Sequence, residues 1–139
     1  MTPRPHAVVA GWNGFIGQRL VTDLTARGYD VARVGRSGPE GRWDDQATLN
    51  RLVDGAELVI NLAGKNVGCR YTDANRDEIL RSRVETTRQV HDAIAAAGAP
   101  PRLWINASTA TIYRYALDRP QTEADEEYGS DFSVGTSRR

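Results

Sequence analysis

The feature that most constrains this chain is a run with glycine at every third position, Gly11-Trp12-Asn13-Gly14-Phe15-Ile16-Gly17. It lies between an apolar segment, His6–Ala10, and a pattern in which Phe15, Ile16, Leu20 and Leu24 recur at helical spacing up to Gly28. The segment therefore reads as strand, glycine turn and helix. Glycines at such a junction let the backbone turn tightly and approach a pyrophosphate closely, while the N–H groups and dipole of the helix start favour negative charge. The spacing is one residue longer than the strict G-x-G-x-x-G pattern. Taken alone, the run also admits a glycine-rich turn with no ligand.

The rest of the chain repeats the alternation. Residues 29–34 read as a second strand carrying Val31 and Val34, which passes into the turn-rich Gly35-Arg36-Ser37-Gly38-Pro39. Residues 45–54 can form a short helix with Leu49, Leu52 and Val53 on one side, and residues 57–63, with Leu58-Val59-Ile60, suit a strand buried on both faces. A long helix is predicted over residues 72–97, with Ile79, Leu80, Val84, Thr87, Val90, Ile94 and Ala97 on one stripe. Gly98 is expected to stop it, with Pro100-Pro101 beyond. Residues 102–107 form the next strand and deliver Ser108 and Thr109 at its carboxyl end, and a short strand is possible over residues 41–43.

Strands alternating with helices imply an α/β fold, a Rossmann-type doubly wound parallel sheet with right-handed crossovers. The strands number fewer than the roughly six of a complete dinucleotide domain, so the fold is expected to be incomplete at its C-terminus. Residues 118–131 carry six acids against the single base Arg119. A single domain over residues 1–139 is expected, loosely ordered from about 115 onward, without a substrate-binding portion.

Composition removes several function classes. Eighteen basic and eighteen acidic residues cancel, so no basic field draws the chain to nucleic acid or to an anionic membrane. The longest apolar stretch, residues 56–64, is interrupted by Glu57 and Asn61 and falls far short of the roughly 20 residues that span a bilayer. Met1 is followed by no secretory apolar segment, which makes cytoplasmic residence the expectation. Cys69 has no partner cysteine, and His6 and His91 have no ligand cluster around them, so no metal is expected.

Three segments carry a family resemblance: the glycine run ending in Gly-Phe-Ile-Gly, the strand end Asn61-Leu62-Ala63-Gly64, and the strand end Asn106-Ala107-Ser108-Thr109. Together they resemble the extended short-chain dehydrogenase/reductase superfamily. Asn61-Leu62-Ala63-Gly64-Lys65-Asn66 and Ser82-Arg83-Val84-Glu85-Thr86-Thr87 are similar to its atypical, nucleoside-diphosphate-sugar-epimerase-like branch. The likeness covers residues 6–133 and is firmest over the first 110.

The resemblance implies a nicotinamide dinucleotide lying across the carboxyl ends of the strands. Gly11, Asn13, Gly14, Phe15, Ile16 and Gly17 would form the pyrophosphate turn, and Leu62, Ala63 and Gly64 would lie beside the adenosine and ribose. NAD sites place an acid at the end of the second strand, whereas NADP sites place an arginine near the 2′-phosphate. Here stand Arg33, Arg36 and Ser37, with no acid before Glu40, so NADP is expected and NAD is the alternative. An ordinary surface arginine is the other reading of Arg36. Asp44 falls where related proteins hold an acid near the adenine, or else it serves as a helix N-cap or first-turn acid.

In the superfamily a Tyr-x-x-x-Lys pair exchanges the substrate hydroxyl proton during hydride transfer, and a serine or threonine binds the substrate oxygen. Thr109 falls on that position, with Ser108 beside it. No Tyr-x-x-x-Lys occurs: Lys65 is the only lysine, and Leu117, Arg119 and Phe132 stand four residues after Tyr113, Tyr115 and Tyr128. Trp12 occupies a turn position usually held by a small residue, either as neutral drift at a surface loop or packed over the cofactor mouth.

The first expectation is thus the cofactor-binding portion of an NADP-dependent oxidoreductase or nucleotide-sugar-epimerase-like protein, whose turnover from these residues alone is not expected. A non-catalytic NADP-binding sensor or interaction scaffold is the alternative, with self-association through an unpaired edge strand. A ligand-free α/β domain is the third reading.

Overall fold

The computed structural model describes residues 3–109 and 112–139. The chain divides into two compact units, at Ala107 and Ser108. The first holds β1 (His6–Ala10), α1 (Phe15–Ala26), β2 (Asp30–Gly35), β3 (Gly41–Arg42), α2 (Gln46–Val53), β4 (Leu58–Asn61), α3 (Asp73–Ala96) and β5 (Leu103–Asn106); the second holds α4 (Phe132–Ser137).

The five strands form one sheet in the order β3-β2-β1-β4-β5, with every pairing parallel. This is the Rossmann-type doubly wound arrangement the alternation implied. Because both faces are covered, the central strands are apolar throughout: Ala7, Val8, Val9 and Ala10 of β1 are all buried. Val8, Ala10, Ala32, Val34 and Val59 face α2 and α3, meeting Leu49, Val53, Val90 and Ala93. Ala7, Val9 and Ile60 face the other way, against Leu24 of α1. Removing each of the valine, leucine and isoleucine side chains from water contributes roughly 1.5–3 kcal/mol.

The short strand over residues 41–43 is present as β3. A Cβ on Gly41 would stand 2.8 Å from Leu52 Cδ1, so this strand lies close beneath α2 because it begins with glycine. Two details of α3 differ from the periodicity. Its buried stripe is Ile79, Thr86, Val90 and Ala93, with Val84 and Thr87 on the flanks. Thr86 is tolerated there because its hydroxyl donates to the Ser82 carbonyl at 2.7 Å. Gly98 does not form a left-handed stop, since positive φ occurs among the described residues only at Gly11, Gly28 and Gly55. The chain leaves α3 through an extended Ala97 (φ −72°, ψ 133°).

In the second unit, the stretch expected to be loose contains defined contacts. Tyr113 and Tyr128 form an antiparallel bridge, and their rings stack at 6.3 Å. Arg114 pairs with Asp118 and Glu127, while Arg119 pairs with Asp125 and Glu127. Asp131 caps α4 by accepting from Val134 N–H at 2.9 Å, and Val134 is buried. Three of the six acids, Asp118, Asp125 and Glu127, therefore act as partners for two arginines, one of which, Arg114, lies outside the acidic window.

Candidate functional site

Gly11 is the junction on which the site is built. Its φ of +75° suits glycine. Its N–H donates to the Val34 carbonyl at 3.0 Å, and Leu62 N–H donates to the Ala10 carbonyl at 2.9 Å, so the carboxyl ends of β1, β2 and β4 meet here. A Cβ on Gly11 would stand 2.7 Å from the Leu62 carbonyl carbon and 2.9 Å from Ala63 N. The structure thus brings Gly11, Leu62 and Ala63 together.

The other two glycines differ in kind. A Cβ on Gly17 would come within 2.3 Å of the Gly11 carbonyl oxygen, whereas one on Gly14 would meet only that same oxygen, at 3.5 Å. Gly17 is required by packing of α1 on the turn; Gly14, at φ −78° and ψ 175°, is required by neither space nor conformation. Gly14 is the N-cap of α1, and no side chain caps that helix or places an acid in its first turn. By contrast, α2, α3 and α4 are capped by Asp45, Thr72 and Asp131. The helix start at the glycine turn leaves its positive end free of any side-chain acceptor. Asn13, Gly14, Phe15 and Ile16 are exposed along it, Phe15 to 98%.

Beside this turn stands the end of β2. Trp12 packs against the Arg33 guanidinium, 5.3 Å from its ring centroid, and lies next to Gly35. Trp12 is accordingly half-buried and engaged with Arg33, not a free surface residue. Arg33 holds both oxygens of Glu40, through Nε at 3.0 Å and Nη2 at 2.8 Å. That contact keeps the Glu40 carboxyl below its usual range. Arg36 and Ser37 are exposed, and among the described residues Arg36 has no hydrogen-bond or ionic partner.

Asp44 pairs with Arg42 at 3.1 Å and lines a shallow groove with Trp43, Glu85, Arg88, Gln89 and Asp92. The helix N-cap is its neighbour Asp45, which accepts from Thr48 N–H at 3.0 Å, so capping does not explain Asp44.

At the end of β4, buried Asn61 accepts from Ala63 N–H at 3.0 Å and donates to Asn106 Oδ1 at 2.8 Å. These bonds fix Leu62 and Ala63 and tie β4 to β5. Beyond them, Ser82 Oγ accepts from Lys65 N–H at 2.9 Å, and Arg83 donates to the Lys65 carbonyl at 3.0 Å. The Arg83 guanidinium lies so close to Gly64 that a Cβ there would stand 2.9 Å from its central carbon. Ser82 and Arg83 are further supports of the site, and their only signal in the sequence is that they lie in the Ser82–Thr87 run, which resembles the epimerase-like branch. The sole lysine, Lys65, pairs with Glu78 at 3.0 Å. Ser108 is exposed and Thr109 half-buried at the start of the second unit. Among the described residues there is no cluster of potential metal ligands, and no helix is long and apolar enough to cross a membrane.

Comparison with known proteins agrees with this geometry. The chain is 37% identical over 133 residues to the epimerase family protein SDR39U1 of Bos taurus, covering 91% of this chain and 44% of that protein. It is 32% identical over 141 residues to the epimerase family protein YfhF of Bacillus subtilis, covering 95% and 46%. Among solved structures it superposes on human SDR39U1 with NADPH at a TM-score of 0.84 and 31% identity, covering 94% of this chain and 45% of that one. MoeE5 in complex with UDP-glucose and NAD matches at 0.77 and 27%, covering 96% and 46%. The chain thus spans somewhat less than half the length of these relatives. The sequence profile described as the NAD dependent epimerase/dehydratase family matches residues 7–133, and with a glycine turn, sheet order and strand ends of the kind described above, this chain belongs to that family.

Proposed function

We propose that residues 3–107 form the NADP(H)-holding portion of an epimerase-like oxidoreductase. The observation that carries this reading is the contrast at α1: among the described residues it is the helix without a side-chain cap, and its N-cap is Gly14, a glycine that no close contact requires. A Cβ there would meet only the Gly11 carbonyl oxygen, at 3.5 Å, so the uncapped helix start is left open, as a pyrophosphate group requires. Gly11, Asn13, Gly14, Phe15, Ile16 and Gly17 would hold the pyrophosphate, Leu62, Ala63 and Gly64 the adenosine side, and Asp44 the adenine. Arg36 and Ser37 would take the 2′-phosphate, and the uncommitted Arg36 guanidinium favours NADP over NAD. The NADPH in the human relative supports the same preference.

The cofactor, when bound, supplies or accepts hydride. Thr109, with Ser108, would hold the substrate oxygen by hydrogen bonding. The UDP-glucose complex of MoeE5 supports a nucleotide sugar as substrate class. The reading is tested by calorimetric titration of the folded chain with NADPH and NADH: binding with NADPH preferred is expected, and a folded chain that binds neither would overturn it.

One observation favours a second reading, a non-catalytic NADP-binding sensor or interaction scaffold. Within residues 1–139 the sole lysine is held by Glu78 and no Tyr-x-x-x-Lys pair occurs. β5 is a terminal strand of the sheet, with Leu103 and Ile105 exposed to 53% and 44%, so self-association accompanies this reading. Cofactor binding without turnover across a panel of nucleotide sugars and carbonyl compounds, together with a dimeric mass by light scattering, would favour it.

A further inference from the structure

Resting on the NADP reading above, we propose that Trp12, Arg33 and Glu40 are positioning residues for cofactor choice: they couple the glycine turn to the loop after β2 and present Arg36 and Ser37 to a 2′-phosphate. Loop closure is the first observation. Arg33 N–H donates to Glu40 Oε2 at 2.9 Å and its guanidinium grips both carboxylate oxygens, so the two ends of the loop are tied at its base. Inside, Gly38 has no room for a side chain: a Cβ would lie 2.2 Å from the Gly41 carbonyl oxygen and 2.7 Å from that of Arg33. The remaining tip is Arg36-Ser37.

Charge is the second observation. Of the three charged side chains between residues 33 and 40, Arg33 and Glu40 neutralise one another, leaving the unpaired Arg36 as the local field. An unpaired Glu40 would oppose an incoming phosphate dianion. The third observation is the link between the two halves of the site. Trp12 belongs to the glycine turn yet stacks on Arg33, so this contact links the turn to the base of the loop. A cofactor with a 2′-phosphate must engage both; one without it needs only the turn.

The test is calorimetric titration of NADPH and NADH against the wild-type chain and the variants Glu40→Gln, Arg33→Met and Trp12→Ala, with thermal unfolding of each. The expected result is an NADPH affinity lowered about tenfold, with NADH affinity changed less than about twofold. Arg33→Lys, which keeps the charge but loses the fork, is expected to recover only part of the preference. Glu40→Gln keeps size and shape at a half-exposed position, so it provides the reading if Trp12→Ala unfolds. A wild type that prefers NADPH, with variants whose NADPH-to-NADH ratio is unchanged, would overturn this inference alone. A wild type that binds neither dinucleotide would overturn the NADP reading and this inference with it.

Discussion

The Gly17 Cα faces the carbonyl oxygen of Gly11, so closely that a Cβ would sit 2.3 Å from it. Helix and turn are therefore in contact through backbone alone. Gly14, three residues before, donates its N–H to the same oxygen at 3.2 Å, yet a Cβ there would stand 3.5 Å from it, so the two positions separate the packing demand of the turn from its proposed binding role.

Gly17→Ala is expected to lower stability by about 1–3 kcal/mol through overpacking, read as a fall in the urea midpoint. Gly14→Val, which puts a poor N-cap residue in place of glycine without any close contact, should cost no more than about 1 kcal/mol of stability. Its NADPH affinity should nonetheless fall at least about tenfold. A Gly14 variant that unfolds would assign that glycine to packing.

Arg36→Asp should weaken NADPH more than NADH, because it replaces a free cation with an acid beside a dianion. Parallel titrations measure the difference, and an equal loss for both cofactors would remove Arg36 from the phosphate site.

Asp45→Ala removes the side-chain acceptor of α2, which bonds Thr48 through both its backbone N–H and its hydroxyl. A loss of about 1 kcal/mol is expected, with cofactor affinity unchanged. Thr72→Ala should act in the same way on α3. Chemical denaturation with a parallel NADPH titration distinguishes stability from binding.

The second unit should respond to acid. Hydrogen bonds from Arg114 and Arg119 hold Asp118 and Glu127 below their ordinary ranges; Asp125 is lowered first by the Thr122 backbone N–H and then by Arg119. A carboxyl with a depressed folded pKa adds stability that is complete above its unfolded value of about 4 and is lost as pH falls through the lower folded value. The near-ultraviolet signal of the stacked Tyr113 and Tyr128 should therefore hold from pH 7 to about 4 and change below it. A signal that already changes near pH 6 would place the controlling group elsewhere.

What the sequence made legible was local. The apolar runs of β1 and β4 and the glycine turn each depend on neighbours within a few residues, and the observed elements follow them closely, whereas the N-cap of α2 falls on Asp45 and not on Asp44. Contacts between distant segments were not legible. Trp12 meets Arg33 because β1 and β2 lie side by side in register, Val9 opposite Arg33, a pairing that no local pattern reveals. Arg83 reaches Gly64 across the loop that precedes α3. The shift from Val84 and Thr87 to Thr86 and Ala93 reflects how α3 rolls against α2 and the sheet, which tertiary packing decides. Arg114 lay outside the acidic window, so its organising effect on Asp118 and Glu127 could not be read from charge counts.

The salt bridge between Arg33 and Glu40 has a consequence for how this scaffold can be altered. Because the loop is fastened at its own base, its tip is a cassette: residues 36 and 37 can be exchanged while β2 stays aligned with β1 and β3. A graft confined to those two positions should transfer one cofactor preference to another without a compensating change in the hydrophobic layers beneath. A graft that cuts at residue 33 or 40 would carry the fastening away with it.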